Sequence, residues 1–586
     1  MKQGVVNKIF DCLCFTLMFI TIVKPLRVNF LGGPLSNKLC IYPFIIGLVY
    51  TIYCHYKYGN VFVNFSKFKK YLAAYFLVCM CATVYGLSIY PYYGEILNGP
   101  ASQIEKLPRV YGFLQAHNVN IAREQLVQLW MIARFFKGLV LNIFYTFGGA
   151  YMIYCWYCHS WEEGFKIALN VTLAAVVAVC AYACLDLGYL ANISVATAAL
   201  EVLNPYLYDI QELHGWWPPL LWKGQVRSLF AEPSFLGIWS AFALPFVWYK
   251  LFSCTGKRKT FYFILNLFFM FVLFMAKART ATALLVGEVV LMLLYFTYLH
   301  RKEDLKRAAV LVVSVALVFV FSLEFMLIFM SVPKKDENAA ASKTSGNIVV
   351  DIKGAAESYA EENVKSLAEA NARSNGARFA TIYAKPKKDE NAAASKTSGN
   401  IVVDIKGAAE SYAEENVKSL AEANARSNGA RFATIYANIE IFKKHPITGV
   451  GIGLTPGYMP DNFPSYVDQN PEVQNWIKYQ KEKGILRSPI GSFSEYSRML
   501  AEIGIVGFVI FFIPVGLLTW HVLKNVKTLP FELITIFIAL CGMLATGLSN
   551  GINITYCYWV LLGLGFAAIE SEESQRTDND TNNHNA

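Results

Sequence analysis

The chain has 586 residues, of which 55% are hydrophobic, 15% aromatic and only 16% charged, against about 25% charged in a soluble protein. Its 42 Phe, 34 Tyr and 11 Trp exceed what one soluble core hides, which excludes a soluble enzyme and indicates a membrane protein. The net charge of +10 does not indicate a nucleic-acid partner, because the basic residues cluster between apolar runs, as cytoplasmic loops do.

A helix needs about 20 apolar residues to cross a bilayer. Twelve stretches qualify, near 9–24, 39–56, 70–91, 136–157, 165–187, 235–253, 260–276, 280–299, 308–331, 500–522, 531–549 and 552–569. The first ends in Lys24-Pro25-Leu26-Arg27 without a small-residue cleavage site, so it reads as a retained span. The expected fold is an all-α polytopic membrane protein of about twelve transmembrane helices. Nine spans lie in 1–331 and three in 500–569, with a long, mostly helical extracytoplasmic loop over 332–499 and a disordered cytoplasmic tail over 570–586. Basic clusters at Lys2 and Lys8, at Lys57 to Lys70, at Lys257-Arg258-Lys259, at Arg301 to Arg307 and at Lys524 and Lys527 fall on one side if both termini are cytoplasmic. The thirteen cysteines all lie in or beside apolar segments and read as small apolar fillers.

Some cations fall on the outer side of that scheme, against the charge rule, and such positions are where function is worth seeking. Arg227 precedes Glu232-Pro233-Ser234 at the mouth of the sixth span. Proline after Glu232 pre-sets the first helical turn, leaving free N–H groups that suit an anion; a capped helix start with a snorkelling arginine is the plainer reading. Lys277-Ala278-Arg279 interrupts what would otherwise be one long apolar run, although any hairpin needs a polar turn. Glu288, inside the eighth span, is costly unless paired or protonated, and reads as a structural partner for one of these cations.

In the long loop, residues 333–384 and 386–437 are the same 52-residue sequence, offset by 53. Identity that includes solvent-type residues marks a recent tandem duplication, and two copies do not make a solenoid. Only the second copy, ending Gly429-Ala430-Arg431-Phe432, runs directly into the next motif, so Arg431 is the expected working arginine and Arg378 its displaced duplicate. A helix-like stretch from Phe432 to Lys444 then meets His445-Pro446-Ile447-Thr448-Gly449-Val450-Gly451, where proline and glycines end the helix and let backbone approach something closely. The chain re-enters the membrane through Phe493-Ser494-Glu495-Tyr496-Ser497-Arg498-Met499-Leu500-Ala501-Glu502-Ile503-Gly504.

These motifs, in this order and all placed outward, resemble the bacterial O-antigen polymerase and O-antigen ligase superfamily. The likeness covers roughly 220–510 by motif and the whole chain by topology. It implies a glycosyl transfer at the outer face of the bacterial cytoplasmic membrane, with undecaprenyl-pyrophosphate-linked saccharide as substrate and membrane lipid around it; a chain-length regulator is a further partner to seek. Pyrophosphate at the lipid boundary calls for arginine's planar, permanently charged fork, which makes Arg227, Lys277, Arg279 and Arg431 the binding candidates. A base must take the proton of the incoming hydroxyl, and Glu232 and His445 are the candidates; Gly449, Gly451, Glu288 and Glu502 are supporting residues. No Asp-x-Asp pair occurs in the outer loops, so no divalent cation or other cofactor is expected.

Ligases of the family carry a histidine just before the Leu-Ala-Glu motif, and here that position is Phe493, which neither takes a proton nor donates a hydrogen bond. The departure favours a polymerase over a ligase. A lipid-linked oligosaccharide flippase is the third reading, but transporters usually show two related halves, and this chain divides nine spans to three. If the duplication adds nothing, deleting one 53-residue unit will leave chain-length ladders of surface polysaccharide unchanged; an inactive deletion beside an active full chain would mean that the extra copy has acquired a role.

Overall fold

The computed structural model describes residues 2–19, 38–59, 61–207, 225–299, 301–325 and 426–584. Arg378, the first copy of the duplicated block and the second copy as far as residue 425 lie outside the described residues. Among the described residues all regular structure is helical.

The helices are α1 Gln3–Thr16, α2 Ile41–Tyr58, α3 Phe65–Ile89, α4 Leu107–Ala116, α5 Arg123–Tyr157, α6 Trp161–Leu190, α7 Ser194–Leu207, α8 Pro233–Ser253, α9 Gly256–Met275, α10 Arg279–Leu299 and α11 Lys302–Phe325. After the long loop come α12 Arg426–Lys444, α13 Pro471–Lys483, α14 Glu495–Asn525, α15 Phe531–Thr546 and α16 Cys557–His584. Eight of these are long and apolar enough to cross a membrane: α3, α5, α6, α8, α9, α10, α11 and α14. Each of the other four expected spans also meets a helix, the 16-residue α15 being a shorter apolar one. The multi-pass, all-α reading therefore stands.

One expectation fails at the carboxyl end. The backbone of α16 stays helical to His584 instead of giving way to a disordered tail after residue 570. The segment from Phe566 to His584 contains no Gly or Pro, so nothing in its backbone chemistry stops a helix already nucleated by the buried part of α16.

The membrane core is aromatic and tightly packed. Trp239, Phe242, Phe246 and Trp248 of α8 are fully buried, which makes α8 the central helix, with α10, α15 and α9 against it. A second apolar cluster caps the bundle on the side of the long loop. There Leu87 of α3, Tyr90, Leu107 of α4, and Val127 and Met131 of α5 bury against Ile441, Val450 and Leu454 of the long loop and Ala501 of α14. A long loop that carried no apolar partner surface would not be held to the bundle; this one is held by a core of its own.

Where the loop meets α14, the backbone exchanges partners. Gly504 departs from helical geometry at φ +62° and breaks the α14 ladder. In an unbroken helix the Ile505 N–H would reach the Ala501 carbonyl. Here Ile505 donates instead to the Pro446 carbonyl at 2.9 Å, and the freed Ala501 and Glu502 carbonyls accept from Val450 (2.8 Å) and Gly451 (2.9 Å) of the loop. A Cβ on Gly504 would stand 2.1 Å from the Ile447 carbonyl oxygen, and one on Gly449 would stand 2.5 Å from the Glu502 carbonyl carbon. On the other side of the strap, a Cβ on Gly86 of α3 would meet the Val450 oxygen at 1.9 Å. Residues 446–451 are thus stitched between α3 and the break in α14. Substituting Gly504→Ala combines a left-handed φ with a backbone clash, and will destabilise the protein by at least about 1–2 kcal/mol. The check is a lower midpoint of thermal unfolding in detergent; an unchanged midpoint would contradict the stitched geometry.

Candidate functional site

Four segments, two of them consecutive in the chain, converge at the long-loop end of the bundle. The first is the irregular segment before α8. Val226 donates its N–H to the Met275 carbonyl at the end of α9 (2.9 Å), which ties the Arg227 segment to the Lys277 turn. The second is that turn: Lys277 sits at φ +46° and closes α9 by donating to the Phe274 carbonyl at 3.0 Å. Arg279 then opens α10. The third segment is the start of α8, whose first residue is Pro233 with Glu232 as N-cap. A Cβ on Gly237 of α8 would lie 2.6 Å from that of Ala281, so the absence of a side chain at Gly237 lets the two helix starts, one carrying Glu232 and the other Arg279, stand side by side. The Ser234 hydroxyl donates to Glu232 Oε2 at 3.1 Å.

The fourth segment is α12. Arg279 Nη1 donates to Asn428 Oδ1 at 2.7 Å, which docks the start of α12 on the start of α10. Arg431 lies three residues further, on the same face of α12. Its guanidinium stands over the ring of Phe493, 5.6 Å from the centroid, and Phe493 stacks on Trp476 with centroids 5.5 Å apart. Cation–π placement of this kind fixes the plane of a guanidinium. Arg279, Arg431, Lys277 and Glu232 therefore share one patch where helix N-termini α8 and α10 add their positive ends.

Arg227 joins this patch along the chain but not at its surface. It is only 1% exposed. The N–H groups of Arg227 and Ser228 donate to Asp186 Oδ2 of α6 at 3.0 and 2.7 Å, and Ser228 Oγ donates to the Val179 carbonyl at 2.6 Å. The segment expected to present an arginine at the membrane boundary is instead anchored inward on a buried carboxylate. The single acid inside the apolar run of α6, Asp186, is the sequence signal for this anchor.

His445 does not join the arginine patch. It ends α12, fourteen residues from Arg431, which is about 21 Å along the helix. Its Nδ1 lies 3.3 Å from the Tyr85 hydroxyl, and partial burial, with the Lys444 ammonium next to it, lowers its pKa below the usual histidine value. Gly449, Gly451 and Glu502 gather near His445 rather than near the arginines. Glu502 Oε1 accepts from the Gly453 N–H at 3.0 Å, and its Oε2 accepts from Arg498 Nη1 at 2.9 Å. Arg498 also pairs with Glu495, so one arginine bridges two carboxylates that lie about two turns apart on one face of α14. Arg498, a cation of the re-entry segment, is the residue that neutralises Glu502.

Glu288 lies apart from both groups. It is buried at 2%, and among the described residues neither carboxyl oxygen has a hydrogen-bond partner. It packs on Gly542 of α15 near the Ala241 carbonyl. It follows Arg279 by nine residues, about 13 Å down the same helix, so it is not the counter-ion expected for the Lys277 and Arg279 cations.

Arg498→Ala would leave two buried carboxylates without their cation, a loss on the order of 3 kcal/mol. It is expected to lower the thermal midpoint more than Arg279→Ala does, and equal midpoints would contradict the bridging role.

Among comparisons with known proteins, a family model described as O-antigen ligase matches residues 263–512, from within α9 to within α14. No curated protein matches the chain.

Proposed function

We propose, from the match of residues 263–512 to the family model described as O-antigen ligase, that the chain is a polymerase joining undecaprenyl-pyrophosphate-linked oligosaccharide repeat units at the outer face of the cytoplasmic membrane. The observation that carries the reading is the joint placement of Arg279 and Arg431. They come from the start of α10 and from the long loop, they are linked through Asn428, and they sit where two helix N-termini meet. A diphosphate leaving group gathers negative charge as the glycosidic bond breaks, and preorganised guanidinium groups stabilise that charge.

Glu232 is the better placed of the two candidate bases, because α8 brings it alongside the start of α10. It would take the proton of the incoming sugar hydroxyl as the new bond forms at the anomeric carbon. His445, a helix length away, serves as an anchor of the glycine strap. Lys277, in the same turn as Arg279, adds charge to the diphosphate site, and Arg227 acts from beneath by holding the floor of the patch to Asp186.

Phe493 supports polymerisation over ligation. The position at which ligases of the resemblance carry histidine is here an apolar ring between Trp476 and Arg431, so it orients a cation and has no proton to exchange.

Three variants test this. Arg279→Ala and Arg431→Ala should each reduce polymerised surface polysaccharide at least tenfold, leaving single repeat units on cells, while the protein still inserts. Glu232→Gln should do the same without altering thermal stability. Long polymer from all three would remove the proposed site. Whole cells lacking the gene separate the readings: single repeat units remaining on the surface mark a polymerase, free polymer not joined to its acceptor marks a ligase, and no surface saccharide at all marks a flippase.

A further inference from the structure

At the opposite end of the bundle, the side of the amino terminus, a cavity of about 680 Å³ opens between α3, α5, α14 and α16. It has no part in the site described above. We propose that it binds one phospholipid with a zwitterionic, primary-amine head, a phosphoethanolamine-type lipid, from the leaflet on that side.

The first argument is depth. On α14 the lining runs from Lys524 to Ile513, about 16 Å of helix. That is half of a hydrocarbon core about 30 Å thick, the length of one leaflet. The second is polarity. The deep end is lined by Phe147, Ile513 and Leu562, whereas the shallow end carries Lys67, Lys524, Glu570 and Glu573. Each of the four helices contributes, and the change from apolar to charged falls at the same end on α3, α14 and α16. A slot between two rigid protein surfaces that is greasy for one leaflet and charged at its mouth fits a single amphiphile and not a soluble metabolite.

The third argument is charge. The mouth holds two ammonium groups and two carboxylates, so a purely anionic head would gain from Lys67 and Lys524 and lose against Glu570 and Glu573. A head with phosphate and a protonated primary amine complements both pairs, the phosphate accepting from the lysines and the amine donating N–H bonds to the carboxylates. A quaternary amine has no N–H to donate. Asn64, which donates to Glu570 Oε2 at 3.1 Å and to the Tyr154 hydroxyl at 2.8 Å, fixes one carboxylate at the mouth. His521 and Glu572, 3.3 Å apart, flank it.

Trp520 lines the same cavity and provides the readout. Full-length protein is reconstituted in phosphatidylcholine vesicles containing a graded fraction of acyl-brominated phosphatidylethanolamine, phosphatidylglycerol or phosphatidylcholine, and the Trp520 signal is taken as the difference between the natural chain and Trp520→Phe. Brominated phosphatidylethanolamine is expected to half-quench that signal at a roughly tenfold lower mole fraction than brominated phosphatidylcholine. The Lys67→Ala/Lys524→Ala pair, two exposed positions, should abolish the preference, since a lost charge-assisted contact corresponds to about tenfold. Equal half-quenching by all three lipids, stronger quenching by phosphatidylglycerol, or no effect of the lysine pair would each overturn the proposal. Truncation after Glu573 that increases quenching by all three lipids equally would also overturn it, by identifying the chain's own tail as the occupant.

Discussion

The exchange of backbone partners at Gly504 is the constraint on which the rest of the loop side depends. A break in a membrane helix exposes donors and acceptors that no water satisfies, at a cost of several kcal/mol for each unsatisfied group. The strap from Pro446 to Gly451 supplies both kinds of group, taking the Ile505 N–H and giving its own to Ala501 and Glu502. With the strap fixed, α12 has one end fastened to the bundle, and its other end reaches Asn428 and Arg431 across to Arg279. The arginine patch is thus held by a strut whose far end is secured about 20 Å away.

This arrangement gives the two groups of candidate residues different work. Residues around His445 and Glu502 keep a loop in register with a helix, and their chemistry is internal: carboxylate to backbone, arginine to two carboxylates. Residues around Arg279, Arg431 and Glu232 are held by neighbours: Asn428 holds Arg279, the Phe493 ring holds Arg431 and Ser234 holds Glu232. Sequence order separates members of each group by up to two hundred residues, yet the helix starts of α8 and α10 and the two ends of α12 bring them together.

Much of this was legible in the sequence. Apolar runs located all eight described helices that are long and apolar enough to span, because bilayer thickness imposes a minimum length on each. The glycines after His445 were readable as a close backbone approach, since only glycine tolerates φ near +68° at Gly449 with a carbonyl carbon where its Cβ would be. What they approach was not readable, because one sequence does not say that residues 449 and 502 are neighbours. The duplicated block singled out Arg431, whereas the contact of its neighbour Asn428 with Arg279 is visible only in space. Arg227 shows the converse: an outward arginine by topology, it is turned inward by Asp186, whose effect depends on a tertiary contact between the end of α6 and the segment before α8. The tail failed for a local reason, since polar composition was read as disorder although the run lacks any helix breaker.

The strap lies before the broken helix in the chain. During vectorial synthesis residues 446–451 leave the ribosome some fifty residues ahead of Gly504, so acceptor and donor already exist when α14 enters the bilayer. A helix with an interrupted ladder would otherwise be a poor client for the insertion machinery. Here the order of translation supplies the missing half of the ladder first, and relocating that strap to the far side of α14 would be expected to hinder biogenesis even if every final contact were preserved.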